Sequence, residues 1–245
     1  MNKDDISLFC QSETSAFRLN IAAELILGPR YTKAGMSRFA SDIRARCSDY
    51  IDIRERALVE CLVVLETEPK NCLAHYIAGH AYAGCAEASS SDSKMELLSR
   101  AAAHYEQALA CIKEGQEHKA LIFLPADKRH DESLGLDTKI KLGLAELYAE
   151  AGLVLMGTVR WPEAVTCYRK VTECDPLRTT GWIWLAKALF KSEGVDRAIE
   201  VLEYAQSLDN MRHESFEPAL GSYLKKYTDI AELRDEFLRV NKSRT

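Results

Sequence analysis

The chain has few of the residues that interrupt helices and no long apolar run. Six prolines and twelve glycines are spread over 245 residues, which favours long helices over many short strands. The dense apolar run from Ile21 to Leu27 is broken by Glu24, well short of the ~18 apolar residues of a membrane-spanning helix. The start, Met1 to Asp5, lacks the basic and apolar regions of a signal peptide. We therefore expect a helical, cytoplasmic protein that does not insert into a membrane.

The chain also lacks a surplus of positive charge, because its 37 acidic residues outnumber its 32 lysines and arginines and give a formal net charge of -5. A nucleic-acid-binding protein needs a surplus of lysine and arginine to neutralise phosphates, so we expect no nucleic-acid partner. The eight cysteines include no CxxC pair. Their even number permits disulfides, but buried free thiols in a reducing compartment are the favoured interpretation.

What the chain does contain is an internal repeat of 34 residues. In one half of the repeat, Ala164, Tyr168 and Val171 recur as Ala198, Leu202 and Ala205. In the other half, Tyr148, Ala151, Gly152 and Leu155 recur as Trp182, Leu185, Ala186 and Leu189. Residues three and four apart share one face of a helix, so each half of the repeat predicts one amphipathic helix.

Over Ala145 to Asn210 the chain resembles the tetratricopeptide repeat (TPR) family, in which the aromatic, leucine and small-residue signature matches Trp182-x2-Leu185-Ala186. The resemblance implies an all-α fold of antiparallel helix–turn–helix repeats, stacked in a right-handed solenoid. The small residues at Gly152 and Ala164 would let paired helices approach closely, and Pro176 would end a helix.

Weaker copies of the pattern extend the repeat towards the N-terminus. Ala57, Cys61, Val64 and Pro69 follow the spacing of the later second helix, and His75-x2-Ala78-Gly79-x2-Tyr82 follows that of the first. The next second helix is delayed by about ten residues relative to the family, and the polar run Ser89 to Ser93 predicts an enlarged loop there. We expect one helical-repeat domain over 1–245: N-terminal helices and a divergent repeat (12–69), a repeat with an enlarged loop (72–113), an irregular insertion (115–135), two clear units (145–210) and capping helices (213–241).

Three stretches are read less directly from the pattern. Between Gly115 and Gly135, either a helix continues to Leu124 or a loop lays its apolar residues over the repeats. Before the repeats, 16–27 reads as an amphipathic helix and 36–50 as the first helix of a pair. After the repeats, 216–224 and 230–240 read as a final helical pair, because the last unit of a stack needs a cap.

No set of residues predicts chemistry. A zinc site needs three or four converging ligands, whereas Cys72, His75, His80 and Cys85 point in scattered directions around a helix. Cys167 is the least implausible nucleophile, but it lies among packing positions. Phosphate loops, GxSxG elbows and HExxH motifs are missing. We expect neither catalysis nor a bound metal or cofactor.

The resemblance also implies where a partner would bind, since first helices line the inner groove of TPR arrays and hold peptides or helices there. Lys187 is the only basic residue at the places where one TPR subfamily grips a C-terminal carboxylate, so that clamp is not expected. Two alternatives stay open: the apolar groove residues bury against another helix of this chain, and the lysines form a solvated face. The expected groove residues are Tyr76, His80, Leu153, Met156, Ile183, Lys187, Phe190 and Lys191.

These features favour a scaffold or adaptor, a subunit of a multi-protein complex that binds a protein segment in its groove. The alternative is a dedicated chaperone for a secreted or membrane-associated client, similar to the helical-repeat chaperones of bacterial secretion systems. An enzyme built on a helical scaffold is the third and weakest interpretation.

Overall fold

The computed structural model describes residues 15–23, 25–26, 50–116, 135–215 and 230–242. Every regular element in these ranges is a helix, as predicted, and no helix among them is long and apolar enough to cross a membrane. The segments predicted at 36–49, 121–124 and 216–224 lie outside the described residues. The helices are α1 (15–23 and 25–26), α2 (Tyr50–Thr67), α3 (Cys72–Glu87), α4 (Ser91–Cys111, continued by a π-helical turn, Ile112–Gln116), α5 (Leu136–Gly157), α6 (Trp161–Cys174), α7 (Thr179–Ser192), α8 (Val195–Ser215) and α9 (Ile230–Lys242).

The chain forms two compact units, Met1–Gly143 and Leu144–Thr245, which divide within α5. In the first unit α2 packs on α3, and α3 on α4. Helix α1 is joined to α2 through Arg18, whose guanidinium pairs with the buried carboxylate of Glu60 at 2.5 Å. In the second unit α6 packs on α7, α7 on α8, and α8 on α9. Within each unit these consecutive helices therefore pack together, which is the hairpin arrangement that the repeat predicts.

The repeat positions of the second helices lie in the core. The repeat positions of α2, α4, α6 and α8 are all at most 2% exposed, in the weak N-terminal copies as well as in the clear ones. These residues are Ala57, Cys61, Val64, Ala101, Tyr105, Ala108, Ala164, Tyr168, Val171, Ala198, Leu202 and Ala205. The repeat register predicted from the sequence is thus the register in which the core is buried.

A small residue on the first helix faces a large one on the second. A Cβ on Gly152 would lie 2.7 Å from Cζ of Tyr168, and a Cβ on Gly79 would lie 2.6 Å from the Tyr105 ring. Carbon atoms prefer separations of about 3.5–4.0 Å, so only glycine fits beneath either tyrosine. In the third copy of the pattern the equivalent residues are alanine and leucine, Ala186 and Leu202, and both are fully buried.

Two of the first helices, α3 and α7, are anchored near their starts by a side-chain ring nitrogen. The indole Nε1–H of Trp182 donates to the carbonyl oxygen of Pro176 at 2.9 Å. At the equivalent place in the first unit, Nε2 of His75 lies 3.0 Å from the carbonyl oxygen of Pro69. His75 therefore makes a contact in the first unit equivalent to the one that Trp182 makes in the second.

The turns that end the first helices also repeat. The amide of Gly194 donates to the carbonyl of Leu189 at 3.1 Å, and the amide of Arg160 donates to that of Leu155 at 2.9 Å. Gly194 has φ +103°, a conformation open to glycine, whereas the turn after α5 places Val159 at φ 63°. A branched side chain in this left-handed region is strained.

The enlarged loop predicted at Ser89 to Ser93 is not present. Helix α3 ends at Glu87 and α4 begins at Ser91, so the additional residues lengthen α4 to 21 residues. Ser90 has an extended backbone, and its carbonyl accepts the amide of Lys94 at 2.9 Å. Serine and aspartate favour helix starts as well as loops, and here the polar run begins a helix.

Candidate partner-binding surface

Two predicted groove residues of the first unit, Tyr76 and His80, lie in an aromatic cluster on α3. The His80 ring centroid is 4.7 Å from that of Tyr76 and 5.4 Å from that of Tyr105, and Tyr76 is buried. Arg54 of α2 donates from Nη1 to the carbonyl oxygen of His80 at 2.9 Å. Burial, and secondarily the charge of Arg54, lowers the pKa of His80 to about 4. This cluster is a packing centre that joins α2, α3 and α4, and its imidazole is neutral at pH 7.

Helix α5 presents apolar side chains to solvent in the second unit. Leu153 is 47% exposed although Gly152 and Leu155, its neighbours on the same helix, are buried. Met156, one turn later, is partly exposed. An exposed leucine beside other exposed apolar side chains is a feature of interaction surfaces, whereas single exposed apolar residues are ordinary.

Helix α7 divides the remaining predicted residues into two groups. Ile183 and Phe190 are buried, and the Phe190 ring stacks on Phe237 of α9 with centroids 4.1 Å apart and planes 2° apart. Lys191 is exposed and Lys187 is partly exposed. The structure therefore places Phe190 in the contact between α7 and α9, while the two lysines face outward.

The two lysines of α7 lie over aromatic rings. Nζ of Lys187 is 4.3 Å from the centroid of Trp184, and Nζ of Lys191 is 5.4 Å from the centroid of Phe190. Burial lowers the pKa of Lys187, and the charge of Glu236 on α9 opposes that shift. Among the residues that the structure describes, neither ammonium has a carboxylate within 4.0 Å.

Sequence reasoning missed Trp184 and Glu236. Trp184 lies three residues before Lys187, a spacing that brings two side chains together on a helix, so the sequence did contain a signal for it. Glu236 lies on another helix, and its proximity to Lys187 depends on how α9 packs.

The residues considered for chemistry have packing environments. Burial raises the pKa of the Cys167 thiol, which leaves it protonated and weakly nucleophilic at neutral pH. Within the described ranges, no group of three or more histidine, cysteine, aspartate or glutamate side chains could hold a metal ion. Nδ1 of His75 is 2.9 Å from Nδ1 of His104. Because Nε2 of His75 donates to Pro69, His104 must donate to His75 when both rings are neutral.

The chain was compared with protein families, with curated proteins and with solved structures. No family model matches the chain, and no curated protein matches it. Two structures of the MamA protein align at 14% identity, one with TM-score 0.36 over 84% of this chain and 97% of that chain, the other with TM-score 0.31 over 75% and 99%. YrrB, a TPR protein with an unusual peptide-binding site, aligns at 18% identity and TM-score 0.27 over 84% and 97%.

The 34-residue register, the buried second-helix positions and the paired helices characterise the fold. The repeats are TPR-like.

Proposed function

We propose that the protein is a scaffold or adaptor that binds a polypeptide segment on the second unit. The binding surface, called here the partner face, consists of Leu153 and Met156 on α5 with Lys187 and Lys191 on α7. The observation that carries the proposal is the 47% exposure of Leu153 beside buried neighbours.

The difference in burial between second helices and first helices supports this surface. The repeat positions of α6 and α8 are committed to the core, because each is at most 2% exposed. The first helices α5 and α7 retain exposed or partly exposed side chains at Leu153, Met156, Lys187 and Lys191. Apolar anchors flanked by charged residues are typical of surfaces that bind a helix or an extended peptide.

A chaperone role would use the same surface, and co-expression distinguishes the two roles. A chaperone is required for the solubility of its client, whereas an adaptor joins partners that are soluble without it. A cytoplasmic location accords with the described cysteines at positions 61, 72, 85, 111, 167 and 174, all of which are free thiols.

The test is crosslinking mass spectrometry on cells that express the wild type or Leu153→Asp. We expect crosslinks from α5 and α7 to a defined protein segment in the wild type, and their loss in the variant, because a buried carboxylate opposes apolar docking. The control is Leu177→Asp: Leu177 is 62% exposed in the turn after α6, so the change adds the same charge outside the partner face. Equal capture by both variants and the wild type would remove the partner face from the proposal.

A further inference from the structure

The ammonium of Lys187 on α7 has no close counter-charge among the described residues of the second unit. It is partly buried on α7 with the Trp184 ring 4.3 Å away and with no described carboxylate within 4.0 Å. Removing an ammonium from water costs free energy unless an anion compensates. Lys191 lies one turn further along the helix and repels it, since like charges four residues apart destabilise a helix.

The arginines of the same unit are balanced differently. Each of four arginines has a carboxylate within hydrogen-bonding or ion-pair distance, between 3.1 and 3.6 Å: Arg160 with Glu163, Arg169 with Glu193, Arg197 with Glu200, and Arg234 with Glu203. In a chain with net charge -5, acids are available to pair with cations. Two other arginines of this unit, Arg178 and Arg239, have no described carboxylate partner but do have hydrogen-bond acceptors: Nε of Arg178 donates to Oγ1 of Thr180 at 3.4 Å, and Nε of Arg239 donates to the carbonyl oxygen of Asp235 at 3.3 Å. Lys187 and Lys191 differ from these arginines because the group described beside each ammonium is an aromatic ring.

Glu236 is the acid that acts on Lys187 from the next helix. It is exposed on α9, one residue before Phe237, whose ring is stacked on Phe190. Its charge favours the ammonium form of Lys187 without forming a direct ion pair. It thus compensates the lysine partially and from a distance, and it would repel an anion that approached Lys187 more closely.

We propose that the segment bound by the partner face is acidic, and that an aspartate or glutamate side chain of the partner pairs with Lys187 and Lys191 while an apolar side chain contacts Leu153 and Met156. This inference rests on the proposed function and names the chemistry of its partner. A carboxylate would supply the anion that the described residues lack, in a charge-assisted hydrogen bond shielded on one side by Trp184.

The experiment is selection of a random 16-residue phage-displayed peptide library on the full-length protein, with the double variant Lys187→Met/Lys191→Met selected in parallel. Methionine keeps the length of the apolar stem and removes the charge. We expect peptides selected on the wild type to combine aspartate or glutamate with leucine, isoleucine or phenylalanine. The best of these, synthesised with a fluorescent label, should bind the Lys187→Met protein about tenfold more weakly by anisotropy.

Two further variants give changes of defined sign. Glu236→Gln should tighten binding of the acidic peptide, because it removes the competing anion. Lys170→Met is the matched control: this lysine also lies over an aromatic ring, 4.5 Å from the Tyr148 centroid, but on the second helix α6, and we expect unchanged affinity. Replacing the acids of the selected peptide by glutamine should cost at least as much affinity as Lys187→Met does, because the proposed carboxylate pairs with both lysines.

The outcomes separate this inference from the function on which it rests. Selected peptides without an excess of acidic residues, or acidic peptides that bind the lysine variants as tightly as the wild type, would overturn the acidic partner and leave the peptide-binding role intact. Equal binding of a single-stranded oligonucleotide would also overturn it, because it would show general attraction of polyanions. Selection that enriches no peptide at all would overturn the proposed function itself.

Discussion

Replacing Gly152 with alanine puts a methyl group where the Tyr168 ring already lies. An ideal Cβ at this position is 2.7 Å from Cζ, 2.8 Å from Cε2 and 3.2 Å from Cε1 of the ring. Tyr168 is 0% exposed, so its ring has no open space into which it can rotate. Helices α5 and α6 must separate by several tenths of an ångström to accommodate the substitution.

Two effects of opposite sign set the magnitude. Overpacking a dense core costs about 1–3 kcal/mol, whereas alanine in place of glycine favours a helix by about 1 kcal/mol. We expect Gly152→Ala to lower the free energy of unfolding by up to about 2 kcal/mol, the difference between these two effects. Gly157, at the end of the same helix, has no atom within 4 Å of its Cβ position. Gly157→Ala should therefore be neutral or stabilising by up to about 1 kcal/mol.

The assay is urea unfolding of both variants followed by circular dichroism at 222 nm, with the midpoint compared at an unchanged slope. A double variant tests the cause: Gly152→Ala with Tyr168→Leu recreates the alanine–leucine combination found at Ala186 and Leu202. We expect the alanine to cost less beside leucine than beside tyrosine, a coupling of about 1 kcal/mol. The reasoning fails if Gly152→Ala is as stable as Gly157→Ala, because the helices would then not be packed as closely as described.

Three further predictions concern backbone strain at Val159, protonation of His80 and the packing of Phe190 on Phe237. Val159→Gly should raise the melting temperature, because a branched residue at φ 63° costs about 1–2 kcal/mol; a lower melting temperature would contradict the strain. The lowered pKa of His80, about 4 against about 6.5 when unfolded, makes its contribution to stability complete above about pH 6.5 and lost as pH falls towards 4. His80→Gln should therefore flatten the fall of the urea midpoint between pH 7.5 and 5, and an unchanged slope would exclude His80 as its source. Phe190→Ala should cost about 3 kcal/mol through loss of its stack on Phe237, whereas Lys191→Ala should leave the midpoint unchanged; equal effects would show that Phe190 is not a packing residue.

Much of the core could be predicted because its signal is local. The periods of three and four residues along one helix, repeated every 34 residues, select Ala164, Tyr168 and Val171 and their equivalents. Burial of the same positions in α2 and α4 shows that even the degenerate copies contain enough of the pattern. The polar run at Ser89 to Ser93 predicts a loop, but it begins helix α4. Serine and aspartate are favoured both in loops and at helix starts, and only the backbone conformation distinguishes the two.

The amino-acid sequence by itself determined which side chains face inward from each helix, since helical periodicity depends only on neighbours along the chain. It could not decide which outward positions a second element covers. Phe190 and Lys187 lie one turn apart on α7, yet one is buried beneath Phe237 and the other remains partly in solvent. That difference arises from α9, which reaches α7 from more than 40 residues downstream, and contact across such a separation is a property of the packed structure alone.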